Sequence, residues 1–192
     1  MTSSDKIQEV ISNFSCKKDI DIENFLKEKS IKYENLSKSR TYFIIDEEML
    51  KLTGKFNIIA YFSISIKVLE IPNDFSRNKI RKLDGISYQI HKKRISEVPA
   101  FLIGQLAKND LYSESITGKQ IIDFAVSRIY EAYKVVGGRV ILVEAVDNDK
   151  IIDFYKENGF EIIRKDEDKL VQLIRMVEQN NLEVVKEIAF TT

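Results

Sequence analysis

The segment Asn148-Asp-Lys-Ile-Ile-Asp-Phe-Tyr-Lys-Glu-Asn-Gly-Phe160 decides the fold of this chain. Asparagine is favoured immediately before a helix, because its side-chain oxygen accepts a backbone N–H of the first turn. Glycine is favoured directly after a helix, because it adopts a left-handed conformation without steric cost. The segment therefore predicts a helix over about residues 149–158, capped by Asn148 and ended by Gly159.

Two buried strands and a helix precede this segment. Pro99-Ala-Phe-Leu-Ile-Gly-Gln-Leu-Ala107 and Arg139-Val-Ile-Leu-Val-Glu-Ala145 are apolar enough to predict buried strands. Between them, residues 118–133 repeat apolar side chains at three- and four-residue spacing, which predicts a helix. A strand, a helix and a second strand in this order form a right-handed crossover, so the two strands should run parallel.

Four further stretches have the alternating or β-branched pattern of strands: residues 40–46, 57–69, 160–164 and 170–177. The last two predict a hairpin. Residues 21–33 predict an amphipathic helix that Asp19 or Asp21 caps, and residues 178–190 predict a terminal helix. These elements predict one mixed α/β (α+β) domain over residues 1–192, with a central, mostly antiparallel sheet flanked by helices.

Three stretches are less distinct. Residues 7–14 fit either a short strand or one helical turn, and residues 47–54 fit a turn or a short helical link. Residues 70–98 carry no clear pattern, although residues 77–94 are rich in lysine and arginine. A solvated loop and a patch facing an anionic substrate both fit that composition.

Composition excludes several classes of protein. Lys and Arg total 30, as do Asp and Glu, so the chain has no net charge and a nucleic-acid surface would have to be local. With Cys16 as its one cysteine and His91 as its one histidine, the chain holds no internal disulfide and too few ligands for a histidine zinc site. We expect both residues to be structural, and we expect no metal.

The chain also lacks a long apolar run. It begins without the apolar core of a signal peptide, and no stretch reaches 18 apolar residues. We therefore expect a cytoplasmic protein that does not associate with a membrane.

A polar loop, Tyr112-Ser-Glu-Ser-Ile-Thr-Gly-Lys119, lies between the first buried strand and the helix. Free backbone N–H groups at a helix start can bind a phosphate, but an ordinary strand–helix loop fits the sequence as well. A Walker-type phosphate loop is excluded, because Ser113 and Gln120 stand where that motif requires glycine and Ser or Thr.

Asn148 with Phe154-Tyr155-x-x-x-Gly159-Phe160 resembles the motif that flanks the coenzyme A arm in GNAT-type N-acetyltransferases. The resemblance spans about residues 10–177. In the N-terminal half it rests on Phe14-x-Cys16, Asp21-Ile-Glu-Asn-Phe-Leu26, Arg40-Thr-Tyr42 and Ala60-Tyr-Phe-Ser-Ile-Ser65. These stretches resemble a bacterial subgroup that includes toxins acetylating aminoacyl-tRNA.

The resemblance implies a GNAT fold with acetyl-CoA as cosubstrate, held by a core of about residues 99–165. Two parallel strands, 100–107 and 139–145, would separate to admit the pantetheine arm. Tyr155 would be the general acid that protonates the leaving thiolate. The residues implied in acetyl-CoA binding are Leu106 and Ala107 through their backbone, the loop residues Ser113, Glu114, Ser115, Ile116, Thr117, Gly118 and Lys119, and Asn148 and Phe154.

The general base and the acceptor are less well defined. Glu144 and Asp147 end the second parallel strand and are within plausible reach, but either could instead cap a backbone or face solvent. The implied reaction is direct acetyl transfer to a primary amine of a small molecule or peptide. Aminoacyl-tRNA is an alternative acceptor. A non-catalytic acyl-CoA-binding module is the third interpretation, because Gly118 alone matches the signature Gln/Arg-Gly-x-Gly-x-Gly/Ala that the resemblance implies for this loop. Homodimer formation is left open.

Overall fold

The protein was analysed as a computed structural model that describes residues 3–85, 95–165 and 170–177. Six strands form one sheet in the order β1-β2-β3-β4-β6-β5. The strands are β1 (Arg40–Ile45), β2 (Ile58–Glu70), β3 (Glu97–Lys108), β4 (Val140–Ala145), β5 (Glu161–Arg164) and β6 (Val171–Met176). The helices are α1 (Ser3–Ser12), α2 (Ile20–Asn24), α3 (Ser30–Asn35), α4 (Glu47–Thr53), α5 (Arg77–Asp84), α6 (Gly118–Val136) and α7 (Asp149–Glu157).

The sheet has the predicted mixture of strand directions. β3 and β4 are parallel, and their paired residues run from Ala100–Val140 to Ile103–Val143. β1 pairs with β2, β4 with β6 and β5 with β6, all antiparallel. The predicted crossover, the predicted hairpin and the mostly antiparallel mixed α/β sheet are thus confirmed. Separation of β3 from β4 to admit a ligand stays a prediction.

The chain divides into two compact units, Met1–Ser65 with Gly104–Ala125, and Ile66–Ile103 with Val126–Thr192. The first unit has its own core, in which Phe14 packs edge-on against the buried Tyr61 with ring centroids 5.2 Å apart. Cys16 belongs to this core, as expected of a small buried residue. The core consists of Ile11, Phe14, Cys16, Leu26, Ile58, Tyr61 and Ala107.

The second unit has a core formed by one sheet face and α5. Its buried residues are Leu69, Ile71, Ile80, Leu83, Val98, Ala100, Val140, Leu142, Ile163 and Ile174. Fully buried aliphatic side chains of this size each contribute roughly 1.5–3 kcal/mol relative to exposure. The second unit therefore has its own apolar stabilisation. That residues 1–192 form a single domain stays a prediction.

The predicted helix at residues 21–33 is present, but one turn of it is irregular. α2 and α3 are joined by a π-helical turn, Phe25–Lys29, and Asp19 caps the start of α2 through the N–H groups of Asp21 and Ile22. The buried Tyr61 hydroxyl donates to the Ile22 carbonyl at 2.6 Å, and Ser30 Oγ donates to the Leu26 carbonyl at 2.6 Å. Side chains that insert into the helical hydrogen-bond pattern are a common cause of such turns.

Two of the less distinct stretches are helical. Residues 7–14 fall largely in α1, so the helical alternative is correct there, and residues 47–54 form α4 and the Gly54 that ends it. The interpretation of residues 70–98 as a solvated loop is wrong for α5, a short helix that Ser76 caps. This helix carries Arg77, Lys79, Arg81 and Lys82. The other basic residues, Lys92, Lys93 and Arg94, lie outside the described residues. So do His91, the turn of the predicted hairpin and the terminal helix predicted for residues 178–190.

Candidate functional site

The segment that decides the fold ends in a specific helix-capping structure. The Phe160 N–H donates to the Tyr155 carbonyl at 3.0 Å, and the Gly159 N–H donates to the Lys156 carbonyl at 3.0 Å. With Gly159 at φ 82°, these two bonds define a Schellman motif. Such motifs often include an apolar contact across the end of the helix, and here the Tyr155 and Phe160 rings lie 5.5 Å apart, edge to face. The Tyr-x-x-x-Gly-Phe spacing therefore positions Tyr155.

Tyr155 lies in an aromatic environment within the second unit. Its ring centroid lies 5.3 Å from that of Phe154 and 5.5 Å from that of Phe160. Burial raises the pKa of the Tyr155 phenol to about 12. The cause is the removal of water around the charged phenolate, which disfavours loss of the proton. At neutral pH the hydroxyl is therefore fully protonated and able to donate.

Asn148 has the predicted capping role. Its side-chain oxygen accepts the Lys150 N–H at 3.1 Å, and its carbonyl accepts the Ile152 N–H at 2.9 Å. The carboxamide oxygen is thus used by the helix itself. The Phe154 carbonyl accepts a bond from Asn158 Nδ2 at 2.7 Å, which reinforces the last turn. A role for Asn148 or Phe154 beside a ligand stays a prediction.

The loop before α6 belongs to the first unit, as do Leu106 and Ala107. After a 3₁₀ turn over Asp110–Tyr112, the Ser115 N–H donates to the Tyr112 carbonyl at 3.0 Å. Ile116 is buried and anchors the loop, whereas the side chains of Ser113, Glu114 and Ser115 are exposed. Leu106 is partly buried and Ala107 is buried in the core.

α6 begins with a capping box that our reading of the sequence missed. The Gln120 N–H donates to Thr117 Oγ1 at 3.2 Å, and the Thr117 N–H donates to Gln120 Oε1 at 2.8 Å. The signal for it was the Thr-x-x-Gln spacing itself. These bonds leave the first-turn N–H groups of Gly118 and Lys119 unused by the capping box. The Lys119 side chain pairs with Asp123 at 2.7 Å on the exposed face.

Both candidate general bases are already paired. Glu144 Oε2 lies 2.6 Å from Lys67 Nζ, and Glu144 Oε1 accepts Gln172 Nε2 at 2.9 Å. Asp147 Oδ1 lies 2.8 Å from Lys165 Nζ, and this bond raises the pKa of the lysine. Each carboxylate therefore already makes a charge-assisted hydrogen bond to a lysine. A role for either residue as general base stays a prediction.

Within residues 3–85, 95–165 and 170–177, no group of three or more His, Cys, Asp or Glu side chains could hold a metal ion. Among the helices of those same ranges, none is both long and apolar enough to span a bilayer.

Comparisons with known proteins identify the fold. No protein-family model and no curated protein sequence matches the chain. Among solved structures, a Tyr→Phe mutant of KacT is similar at a TM-score of 0.64 and 22% identity, with 87% of each chain covered. The toxin AtaT in complex with acetyl-methionyl-tRNAfMet is similar at a TM-score of 0.63 and 17% identity, with 91% of each chain covered. A third similar structure is a Tyr→Phe mutant of AtaT bound to the C-terminus of the antitoxin AtaR and acetyl-CoA. Its TM-score is 0.63 and its identity 16%, and the match covers 91% of this chain and 89% of that one. The chain therefore has the fold of these toxins, as predicted.

Proposed function

We propose that this chain is a GNAT-type N-acetyltransferase that transfers the acetyl group of acetyl-CoA to a primary amine by direct attack. The observation that carries the proposal is the likeness to the toxin AtaT. The structure of AtaT bound to acetyl-CoA aligns with 91% of this chain. Because the identity is only 16%, the fold alone would be weak support. The Asn148–Phe160 motif adds support from chemistry-bearing residues.

The chain offers a plausible set of contacts for acetyl-CoA. Gly118 and Lys119 present first-turn N–H groups at the start of a 19-residue helix, where backbone donors and the helix dipole favour a phosphate. Phosphate binding of this kind uses backbone groups. The presence of Glu114 and Ile116 at the positions of the signature glycines therefore does not prevent it. Leu106 and Ala107 would bind the pantetheine arm through their backbone, and Asn148 and Phe154 would flank it.

Tyr155 is the proposed general acid. When bound, acetyl-CoA supplies the acyl group and a thiolate as leaving group. A phenol with a pKa of about 12 keeps its proton at neutral pH. Although a thiol has a pKa near 8.5 in water, a desolvated thiolate is more basic, so a partly buried phenol can donate its proton to it. Positioned general acids of this kind contribute roughly 10²–10⁴-fold to rate.

The paired carboxylates bear on the choice of acceptor. With Glu144 and Asp147 engaged by lysines, the amine should enter already neutral or lose its proton to water. An α-amino group has a pKa of about 7.7–8.0, whereas a lysine side chain has about 10.4. An α-amine is therefore far more often neutral at physiological pH. This difference favours an aminoacyl or peptide α-amine as the acceptor.

Aminoacyl-tRNA is the second, narrower candidate. AtaT has been solved with acetyl-methionyl-tRNAfMet, which contains an acetylated α-amine. In addition, α5 carries exposed cations that could contact a phosphate backbone, of which Lys82 is paired with Glu161 at 3.0 Å. Because the chain has no net charge, such a local patch is what an RNA acceptor would require.

Calorimetry and acetyl transfer test the general proposal. The wild-type protein should bind acetyl-CoA and transfer labelled acetyl to an α-amine, and Tyr155→Phe should lower kcat by about 10²-fold or more with nearly unchanged affinity. Tyr133→Phe, in α6, is the matched control and should leave kcat unchanged. Lack of acetyl-CoA binding would reject the proposal, and binding without transfer to any amine would identify a non-catalytic acyl-CoA module.

Expression in bacteria and a charge reversal test the tRNA candidate. The wild-type chain should arrest growth, and Tyr155→Phe should abolish the arrest. Lys79→Glu combined with Arg81→Glu should raise KM for aminoacyl-tRNA while leaving KM for a small α-amine unchanged. Transfer to small amines without any transfer to aminoacyl-tRNA would leave the enzyme assignment intact and reject this acceptor.

A further inference from the structure

Asn109 connects three separate parts of the first unit. This residue, 2% exposed, follows β3 directly. Its Oδ1 accepts the Ser15 N–H at 3.3 Å and the Leu111 N–H at 3.1 Å, and its Nδ2 donates to the Ile58 carbonyl at 2.8 Å. All three of these side-chain hydrogen bonds are made with backbone groups. Asn109 therefore fixes the chain path at the end of β3.

Asp110 holds the same neighbouring segment with its charge. Its Oδ2 accepts the Lys17 N–H at 2.8 Å and Ser15 Oγ at 3.1 Å, while its own N–H donates to the Ser15 carbonyl at 2.8 Å. The bond from the Lys17 N–H, more than any other contact, lowers the pKa of this carboxyl group. We call the contacts of Asn109 and Asp110 with Ser15–Lys17 the β3 fastening.

The segment on the other side of the β3 fastening is itself rigidly held. The Cys16 N–H donates to Glu23 Oε2 at 2.7 Å, and the Cys16 side chain is buried in the core. Glu23 also pairs with Lys27 at 2.6 Å, one turn further along. Asn109 and Asp110 are thus attached to a segment that is anchored independently by a helix and by apolar packing.

From this arrangement we infer that Asp110 and Asn109 are positioning residues for the acetyl-CoA-binding loop, an inference that rests on the proposed function. The loop begins directly after the β3 fastening, and the turn bonds run onward from it. The Tyr112 N–H donates to the Asn109 carbonyl at 2.9 Å, and the Ser115 N–H donates to the Tyr112 carbonyl at 3.0 Å. Because the fastening sets where the loop starts, it orders the backbone before the ligand arrives.

Preordering a loop matters because a ligand that must order it loses affinity in doing so. Without the carboxylate of Asp110, the amides of Ser113–Lys119 would sample more conformations in the free protein. Acetyl-CoA affinity should fall, whereas the chemistry at Tyr155 would not change. Neither Asp110 nor Asn109 needs to touch the ligand or the reacting atoms for this effect.

The test compares Asp110→Ala, Asp110→Asn and Asp46→Ala. Asp46 is the matched control, since it is an aspartate of the same unit that accepts one backbone N–H, that of Met49, at 2.9 Å. Asp110→Ala should raise the Kd and KM for acetyl-CoA about tenfold with kcat nearly unchanged, as expected of lost preorganisation. Asp110→Asn keeps an acceptor oxygen and should recover part of the affinity, and Asp46→Ala should leave Kd unchanged.

Hydrogen exchange of the ligand-free protein provides a second readout. In Asp110→Ala, the amides of Lys17, Tyr112 and Ser115 should exchange faster than in wild type, while those in α7 should not change. An unchanged Kd in Asp110→Ala, or an equal rise in Asp46→Ala, would overturn the positioning role and leave the proposed function standing. A wild-type protein that binds no acetyl-CoA would reject both.

Discussion

Among the described residues, two tyrosines have a raised pKa because burial removes the water that would stabilise a phenolate. One is Tyr61, whose hydroxyl is bonded to the Ile22 carbonyl at 2.6 Å. The other is Tyr155, whose environment is aromatic. The Tyr61 hydroxyl donates to a helix carbonyl, whereas the Tyr155 ring packs against Phe154 and Phe160. Burial alone therefore does not distinguish a structural tyrosine from the proposed general acid, Tyr155.

The raised pKa of Tyr155, about 12, makes a prediction for alkaline stability. The folded state binds this proton more tightly than the unfolded state, where the pKa is about 10. The stabilisation is therefore fully present below pH 10 and is lost as the pH rises from about 10 to about 12. Urea unfolding at pH 8 and at pH 11 should show a smaller loss of stability in Tyr155→Phe than in wild type.

Tyr133→Phe again provides the control for this measurement. It removes a tyrosine from α6 of the same unit but leaves Tyr155 in place. If Tyr155→Phe and wild type lose the same stability on going to pH 11, the phenol is not held in its protonated form by the fold.

At the scale of elements, the Schellman motif after α7 predicts different effects for two glycine substitutions. Gly159→Ala should cost about 1 kcal/mol, because alanine is strained at φ 82°. An added Cβ would lie 3.6 Å from Arg175 Nε, an ordinary contact, so the cost is in the backbone. Since the motif also positions Tyr155, kcat for acetyl transfer should fall together with the midpoint of urea unfolding.

Gly54→Ala is the matched substitution at the end of α4. Gly54 has φ 69°, and an added Cβ would meet nothing within 4 Å. It should cost similar stability with no change in kcat. Equal kcat values for the two variants would contradict a positioning role for the motif.

The π-helical turn between α2 and α3 makes a prediction for Tyr61. Tyr61→Phe removes the 2.6 Å bond to the Ile22 carbonyl, which also accepts the Phe25 N–H. Because the carbonyl keeps that backbone donor, the loss should be that of one hydrogen bond, roughly 0.5–1.5 kcal/mol. Chemical denaturation should show that loss. Relative to wild type, Tyr61→Phe should accelerate hydrogen exchange across Phe25–Lys29 more than across α6. Exchange that is accelerated equally in both elements would argue against a local role.

Local signals in the sequence predicted most of these elements, and the failures have physical causes. α7 was predictable because its cap, its end and its apolar spacing all lie within 13 residues. α5 was not, because its eight residues bury only Ile80 and Leu83. The π-helical turn follows a helix whose Ile22 carbonyl accepts a bond from Tyr61, 39 residues away. No local pattern contains that contact.

The same distinction applies to the candidate site. The sequence predicted a role for Tyr155 and the loop before α6, since a motif and a strand–helix boundary mark them. It did not identify Asn109 or Asp110, because their partners at Ser15 are 94 and 95 residues away. It left Glu144 and Asp147 open as bases, because a sequence does not reveal that Lys67 and Lys165 pair with them.

At the scale of the whole molecule, binding and stability are linked by mass action. A ligand that binds the folded state alone stabilises it by about 2.7 kcal/mol at a concentration 100 times its Kd. For a chain of this length, each 1 kcal/mol shifts Tm by roughly 2–4 °C. Acetyl-CoA at that concentration should therefore raise Tm by about 5–10 °C in scanning calorimetry.

The variants should separate binding from chemistry in this experiment. Tyr155→Phe should retain the full shift, because the phenol acts on the leaving thiolate rather than on affinity. Asp110→Ala should show a reduced shift at the same ligand concentration, since a tenfold higher Kd lowers the stabilisation by about 1.4 kcal/mol. Coenzyme A without the acetyl group should reproduce most of the wild-type shift, because the proposed contacts of Gly118 and Lys119 are with its phosphates. A wild-type Tm that is unchanged by either ligand would contradict the proposed cosubstrate, whatever the fold.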